Sequence, residues 1–178
     1  FRGSPTREVY FDNVKLADDR RISEVGEGFA LAMNTLDHTR ITIAAQALGI
    51  AQGALDVATK YSHERKQFGK EILDLPGVQF MLADMKTDIE ASRMLTWKSA
   101  SEADVGVKNT ESAAHAKRFA SDAAMKISTD AVQVYGGYGY SEEYPVARLM
   151  RAAKVMQIYE GSSQVQRMII GREITKNL

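Results

Sequence analysis

Proline placement constrains this chain more than any other feature. Only Pro5, Pro76 and Pro145 occur among 178 residues, and none interrupts a periodic apolar segment. Proline inside a helix removes a backbone hydrogen bond and clashes with the preceding turn, so these gaps leave room for long helices. Apolar periodicity fills the room. From about Gly28 to Arg65, Leu36, Ile43, Ala47, Ile50, Ala54, Ala58 and Tyr61 recur at helical spacing. Arg65 and Lys66 suit a helix C-terminus, and Gly69 lies just past it. Pro76 suits the start of a second helix, whose stripe is Val78, Leu82, Met85 and Ile89 and which fades near Asp104–Gly106. Asn109 is a candidate N-cap for a third, with Glu111 in its first turn and Ala113, Ala116, Ala120, Ala123, Ile127, Ala131 and Val134 as its stripe. The run from Gly136 to Tyr140 reads as a loop. Pro145 opens a short fourth helix to about Tyr159, and Gly161 breaks it. Ser163 and Gln166 form a capping-box signature for a last helix running to the C-terminus.

Three long amphipathic helices and a broken fourth predict an all-α fold, an up-down helical bundle. The alanine stripe of the third helix requires close helix approach. Residues 1–22 differ from this bundle of residues 23–178. Glu8-Val9-Tyr10-Phe11-Asp12-Asn13-Val14 reads as a short β-strand, followed by a loop through Asp18 and Asp19. A lone strand cannot satisfy its own backbone, so this remnant is expected to belong to a sheet in a preceding domain.

Composition narrows the chemistry. With 23 basic and 23 acidic residues the net charge is zero, which gives no electrostatic reason to bind nucleic acid or an anionic membrane. Without cysteine there is no disulfide, thiol nucleophile or thiolate metal site. His38, His63 and His115 form no H-x-x-x-H pair, so no metal site is expected. No uncharged apolar run approaches the ~18 residues a membrane span needs. No secretory signal is evident, and a cytoplasmic or organelle-matrix location is expected.

Four segments could carry chemistry. In Ile158-Tyr159-Glu160-Gly161-Ser162-Ser163-Gln164, Glu160 is expected in the last turn of the fourth helix, facing the unfavourable end of its dipole. Apolar neighbours would half-bury it, which raises a carboxylate toward a base competent near neutrality. The plainer reading is an anion placed just ahead of the next helix N-terminus, where a negative charge is welcome. In Glu64-Arg65-Lys66-Gln67-Phe68-Gly69, an arginine beside an aromatic can clamp a phosphate or stack on a ring, or can simply end a helix in solvent. Arg40, four after Leu36 and three before Ile43, points along the apolar stripe. It needs an anion there, either a carboxylate such as Asp37 or a ligand phosphate. The glycines after Gln133 could admit a phosphate or ring edge, although they do not form a dinucleotide-binding fingerprint and a plain helix connection would look the same.

Together Leu36–Arg40, Glu64–Gly69, Asp130–Tyr140 and Ile158–Arg167 resemble the acyl-CoA dehydrogenase family across residues 7–178. The match is to its C-terminal helical domain, with the stretch near Tyr10 as the tail of the middle β-domain. Ala45–Gln52 and Leu95-Thr96-Trp97 are most similar to short-chain, butyryl-CoA-type members. The resemblance implies an FAD enzyme that desaturates an acyl-CoA between Cα and Cβ. It also implies a homotetramer and an electron-transfer flavoprotein as electron acceptor.

Residue roles follow by the same resemblance. Glu160 matches the catalytic base. Some members place the base just before the arginine of the Leu-Asp motif, where this chain has Thr39, which cannot serve. Arg65 and Phe68 match contacts to the FAD of a neighbouring subunit. Gln133, Val134, Gly136 and Gly137 match contacts to the adenine end. Ser162 and Gln164 match further FAD contacts near the base. Asp37 and Arg40 match the acyl-CoA side, and Gly161 adjoins the thioester. One departure stands out: Pro76 replaces a glutamine that helps many members hold FAD, and offers neither amide side chain nor N–H. Two other readings stay open: a related acyl-CoA oxidase that passes electrons to oxygen, and a non-catalytic assembly module.

Overall fold

The computed structural model describes residues 5–176. Its helices are α1 (Gly28–Glu64), α2 (Pro76–Asp104), α3 (Thr110–Tyr135), α4 (Gly137–Tyr140), α5 (Pro145–Met156) and α6 (Ser163–Thr175). Two single 3₁₀ turns, Asp18–Arg20 and Ile72–Asp74, precede α1 and α2. Two-residue strands β1 (Lys66–Gln67) and β2 (Lys70–Glu71) pair antiparallel, with Lys66 opposite Glu71 and Gln67 opposite Lys70.

Side-chain bonds fix the direction of each helix. Asp37 and Val57 of α1 meet Thr110 and Tyr135 of α3, so these two run parallel. Between α2 and α3, Asp88 meets Lys126 and Ser99 meets Ser112, an antiparallel pairing. The α5–α6 arm returns antiparallel along α3: Tyr144 packs on Tyr135, while Gln157 and Arg167 both reach Asp122. The expected up-down bundle with a broken fourth helix is therefore present.

The core is built mainly of alanine. Ala44, Ala47, Ala54 and Ala58 of α1 face Ala116, Ala120, Ala124 and Ala131 of α3, all essentially without solvent exposure. Side chains this small let the two backbones approach closely, and larger residues such as Met85, Ile89, Ile127 and Met156 fill the spaces left. By length and composition α1 could cross a membrane, with a window of mean hydropathy 1.3. Between Ile43 and Ala58 its apolar residues pack into the bundle, whereas Phe29, Leu31 and Met33 near its start are exposed.

Several local expectations change. The stretch from Glu8 to Val14 forms no strand, because among the described residues it has no partner edge; Val9, Tyr10 and Phe11 are exposed. The expected N-terminal remnant also includes residues 1–4, and the last helix was expected to reach residue 178; these positions lie outside the described residues. Helix α1 ends at Glu64, and Arg65 is its C-cap. Beyond it the chain makes a hairpin, with Phe68 (φ 54°) and Gly69 (φ 78°) both left-handed. Gly137–Tyr140 is one helical turn rather than a loop, set off by Gly136 at φ 62°. Asn109 is the α3 cap by position, its carbonyl accepting from the Ala113 N–H, but its side chain makes no cap bond. The α6 cap is Ser162, whose Oγ accepts from the Val165 N–H at 3.4 Å. Ser163 is already helical and donates to Asp122 at 2.9 Å, so no capping box forms.

Candidate active site

Helix α5 stops at Met156, three residues earlier than its apolar pattern suggests. Glu160 therefore sits not in a last helical turn but on the connection between α5 and α6, at φ 55°. The helix-dipole penalty expected for it does not apply. A left-handed non-glycine residue costs energy that its surroundings must offset. Here the surroundings do so from several sides. The Ser163 N–H donates to Gln157 O at 2.9 Å, closing the turn. Gln166 Nε2 donates to Gly161 O at 3.0 Å and Glu160 O at 3.4 Å. Lys117 Nζ donates to Gly161 O at 2.8 Å. Gly161 is itself left-handed (φ 92°), and a Cβ there would lie 2.6 Å from Gln166 Nε2. Only glycine fits without displacing that amide.

The Glu160 carboxylate is half-buried and points toward α1. Thr39 Oγ1 donates to its Oε2. One residue on, Arg40 is 5% exposed and its Nε reaches Glu160 O at 3.5 Å. Its Nη1 binds Asp37 Oδ1 at 2.7 Å. Asp37 Oδ2 accepts from Thr110 Oγ1 at 2.6 Å. Of the two partners that Arg40 could have, the structure supplies the carboxylate. Asp37 also lines a cavity of about 360 Å³ with Asn34, His38, Lys108, Asn109 and Thr110. The Asn109 side-chain amide nitrogen is buried at its edge without a protein partner.

Desolvation dominates at Lys117 and pushes its ammonium down to about 8. Asp122 and Glu160 oppose that shift, and Arg40 adds to it. For Tyr159, burial and the neighbouring Glu160 charge push the phenol upward; its hydroxyl donates to Gln46 Oε1 at 2.6 Å.

A second cluster forms at the opposite end of α1. Arg65, Gln67, Tyr61, Val134, Gly136 and Gly137 line a cavity of about 570 Å³. Tyr61 stacks on Tyr135 at 4.0 Å, and the Arg65 guanidinium lies 5.6 Å from the centre of the Tyr138 ring. Gly136 adopts φ 62° and ψ −140°, a conformation closed to L side chains, so backbone rather than side chain faces the opening. A cation, a bare backbone and an aromatic floor suit the phosphates and flat rings of a dinucleotide. Phe68 projects from the hairpin tip, 88% exposed. Gln133 is exposed beside this cavity but does not line it. Near the base, Ser162 caps α6 and Gln164 is exposed on its first turn. Pro76 occupies the first position of α2, where no N–H is needed. Among the described residues no group of three metal-ligating side chains converges.

The sequence thus groups into two sites, not one. Arg40 and Arg65 are 25 positions apart on a single helix and its cap, about 37 Å at 1.5 Å per residue. Two participants escaped the sequence reading. Thr39 stands in its motif as a residue that cannot be a base, and the motif does not show that it donates to one. Lys117 was overlooked, although it falls four after Ala113 and three before Ala120, inside an apolar stripe, as Arg40 does on α1.

A bundle that presents a carboxylate on an inter-helix turn, with a separate cleft near the C-terminus of α1, is an all-α domain with two candidate ligand sites. Residues 26–175 match the family described as acyl-CoA dehydrogenase, C-terminal domain, and the chain belongs to that family. A short-chain specific acyl-CoA dehydrogenase of Megasphaera elsdenii is 54% identical over 168 residues, 94% of this chain and 44% of that protein. The structure of butyryl-CoA dehydrogenase from Megasphaera elsdenii superposes with a TM-score of 0.92 at 53% identity, over 93% of this chain and 43% of that one. A chain in the structure described as the electron transferring flavoprotein of Acidaminococcus fermentans matches with a TM-score of 0.83 at 56% identity, over 84% and 39% respectively. The chain spans 44–45% of the length of such curated relatives.

Proposed function

We propose that this chain serves as the C-terminal domain of an FAD-dependent acyl-CoA dehydrogenase acting on a short- or medium-chain acyl-CoA, with Glu160 as the base that removes the α-proton. The observation that carries this reading is the Glu160 turn, which holds a half-buried carboxylate in a strained backbone conformation fixed by bonds from α1, α3 and α6. A thioester α-proton is weakly acidic. Its removal requires a base that is pre-positioned and shielded from water. Thr39 engages Oε2 and leaves Oε1 for the substrate. Gly161, without a side chain, lets the thioester come close. The Glu160 N–H is a donor for the oxygen on which charge develops. Asp37 faces the acyl-CoA cavity, while Arg40 stays behind it and ties Asp37 to the Glu160 backbone.

The residues present fit the flavin. Ser162 and Gln164, next to the base, would meet the FAD near its reacting end. Arg65 and Phe68 would meet the FAD of a neighbouring subunit, and Gln133, Val134, Gly136 and Gly137 would meet its adenine end. When bound, FAD would accept the Cβ hydride and pass its electrons to an electron-transfer flavoprotein. The separation of about 37 Å between the two clusters supports a homo-oligomer, because one extended dinucleotide does not bridge it. The similarity to butyryl-CoA dehydrogenase supports a short acyl chain. The bacterial sources of the relatives support the cytoplasm over a mitochondrial matrix.

The test uses the full-length protein with Glu160→Gln. Anaerobic mixing with butyryl-CoA should bleach the flavin at least about 10³-fold more slowly than in the parent, the scale of a lost general base. An unchanged rate removes Glu160 from the mechanism.

A further inference from the structure

We propose that Gln166 is a positioning residue for the base: its side-chain amide and its backbone N–H together hold the three consecutive carbonyls of Glu160, Gly161 and Ser162, and so set the orientation in which the carboxylate meets the α-proton. The inference rests on Glu160 being the base, and assigns to that site a residue that touches no reacting atom.

Gln166 lies in the first turn of α6 and is wholly buried, which is unusual for glutamine. A buried amide is costly unless its bonds are made. Its Nε2 donates to Gly161 O at 3.0 Å and to Glu160 O at 3.4 Å. Its backbone N–H donates to Ser162 O at 3.0 Å. Its Oε1 has no protein partner. The side chain is therefore held by what it donates to the turn, and carbonyl oxygens, which only accept, fix its NH2 end toward them. Other groups reach this turn one carbonyl at a time. Of the two, Lys117 bonds only Gly161 O, and Arg40 bonds only Glu160 O, at 3.5 Å. Among the described residues Gln166 alone spans both. Gly161 is matched to it, because a Cβ there would lie 2.6 Å from Nε2.

The consequence for Glu160 is geometric. Its left-handed conformation (φ 55°) is disfavoured for a residue with a Cβ, so it persists only while bonds from outside hold the flanking peptides. The Glu160 carbonyl belongs to the peptide that follows the base, and the Gly161 carbonyl to the next one. Fixing both planes stops the segment from relaxing toward an ordinary conformation, which would swing the Glu160 carboxylate away from Thr39 Oγ1. A displacement of about 1 Å in a reacting group costs about 10²-fold in rate. Glutamine suits the position by both length and chemistry. Methionine has the length without the donor, asparagine has the donor one methylene short, and glutamate would set a carboxylate against two carbonyl oxygens.

The experiment uses the full-length, flavin-loaded protein and an acyl-CoA with sulfur in place of Cβ. That ligand can lose its α-proton but has no β-hydride to give, so the long-wavelength absorption of its enolate beside oxidised flavin reads the base step alone. Gln166→Met should form this absorption about 10- to 100-fold more slowly than the parent at saturating ligand, with the apparent Kd held within about threefold. Gln166→Asn should do the same, and it decides the matter if the Met variant fails to retain flavin. Ser163→Ala removes the α6–α3 bond to Asp122 without touching the three carbonyls. It should lower Tm and leave enolate formation within about twofold of the parent. Parent-like enolate formation in either Gln166 variant overturns the proposal. So does a loss explained wholly by weaker binding, or one that Ser163→Ala reproduces, because packing damage alone gives that result. A Glu160→Gln arm separates the two readings: if it forms the enolate as fast as the parent, the base assignment fails whatever Gln166 does.

Discussion

Arg40 and Lys117 are the same kind of residue in different circumstances. Both are cations inside apolar stripes, and both converge on the two-residue segment Glu160-Gly161. Arg40 brings its carboxylate from one turn away, so its pairing could be anticipated from sequence. Lys117 donates to the carbonyl of Gly161, far along the chain, an acceptor that no local spacing reveals. Thr39 was hidden for another reason: a hydroxyl too weak to be a base is still a good donor to one. Burial of Lys117 has a consequence for stability. The unfolded chain keeps that proton to about pH 10.4, whereas the folded protein releases it near 8. Between these values the unfolded state binds more protons, so stability should rise with pH. Tyr61, Tyr135 and Tyr159 are held above the ordinary value of 10, and their opposing contribution sets in only as the unfolded tyrosines ionise, at the upper edge of that window. Denaturant unfolding of the parent from pH 8 to 10 should show a rising free energy from this group. In Lys117→Met that component should be absent. An equal slope in both proteins would locate the titration elsewhere.

At the scale of elements, long helices were legible and their ends were not. The alanine stripe and the scarcity of proline suffice to place α1, α2 and α3, because periodicity accumulates over many turns. The end of α5 is set by tertiary bonds instead: Gln157 is drawn to Asp122 and its carbonyl to the Ser163 N–H, so the helix unwinds where its apolar pattern continues. The β1–β2 hairpin was missed because its turn begins with phenylalanine. Two-residue hairpin turns with both central residues at positive φ prefer Asn-Gly or Gly-Gly. A phenylalanine there carries strain of about 1–3 kcal/mol, and its ring is left in solvent rather than in a core. Strain without internal contact points to a use outside the protomer. Phe68→Asn should therefore leave the thermal stability of the full-length protein equal or slightly higher, while its apparent Kd for FAD weakens. A variant that loses stability but keeps flavin affinity would mean that Phe68 serves the hairpin.

At the scale of the whole molecule, the separation of the two clusters along α1 governs how sites are shared. A protomer whose Glu160 sits beside Thr39 and Arg40, with Arg65 about 37 Å along the helix from Arg40, cannot bring both to one flavin by side-chain motion, because α1 is a continuous helix anchored along its length. If each active site takes Glu160 from one protomer and Arg65 from its neighbour, complementary defects should rescue each other. Consider full-length Glu160→Gln mixed with full-length Arg65→Glu, each inactive alone, after dissociation and reassociation. In a mixed pair, one site receives an intact Glu160 from the Arg65 variant and an intact Arg65 from the Glu160 variant. The other site collects both defects. With equimolar mixing and random reassociation into symmetric pairs, about a quarter of all sites should be restored. If each protomer furnished both groups to its own site, every site in every mixture would carry one defect, and no activity would return. The recovered rate of flavin reduction by butyryl-CoA, measured against the mixing ratio, therefore tests whether the two cavities of one chain belong to two different active sites.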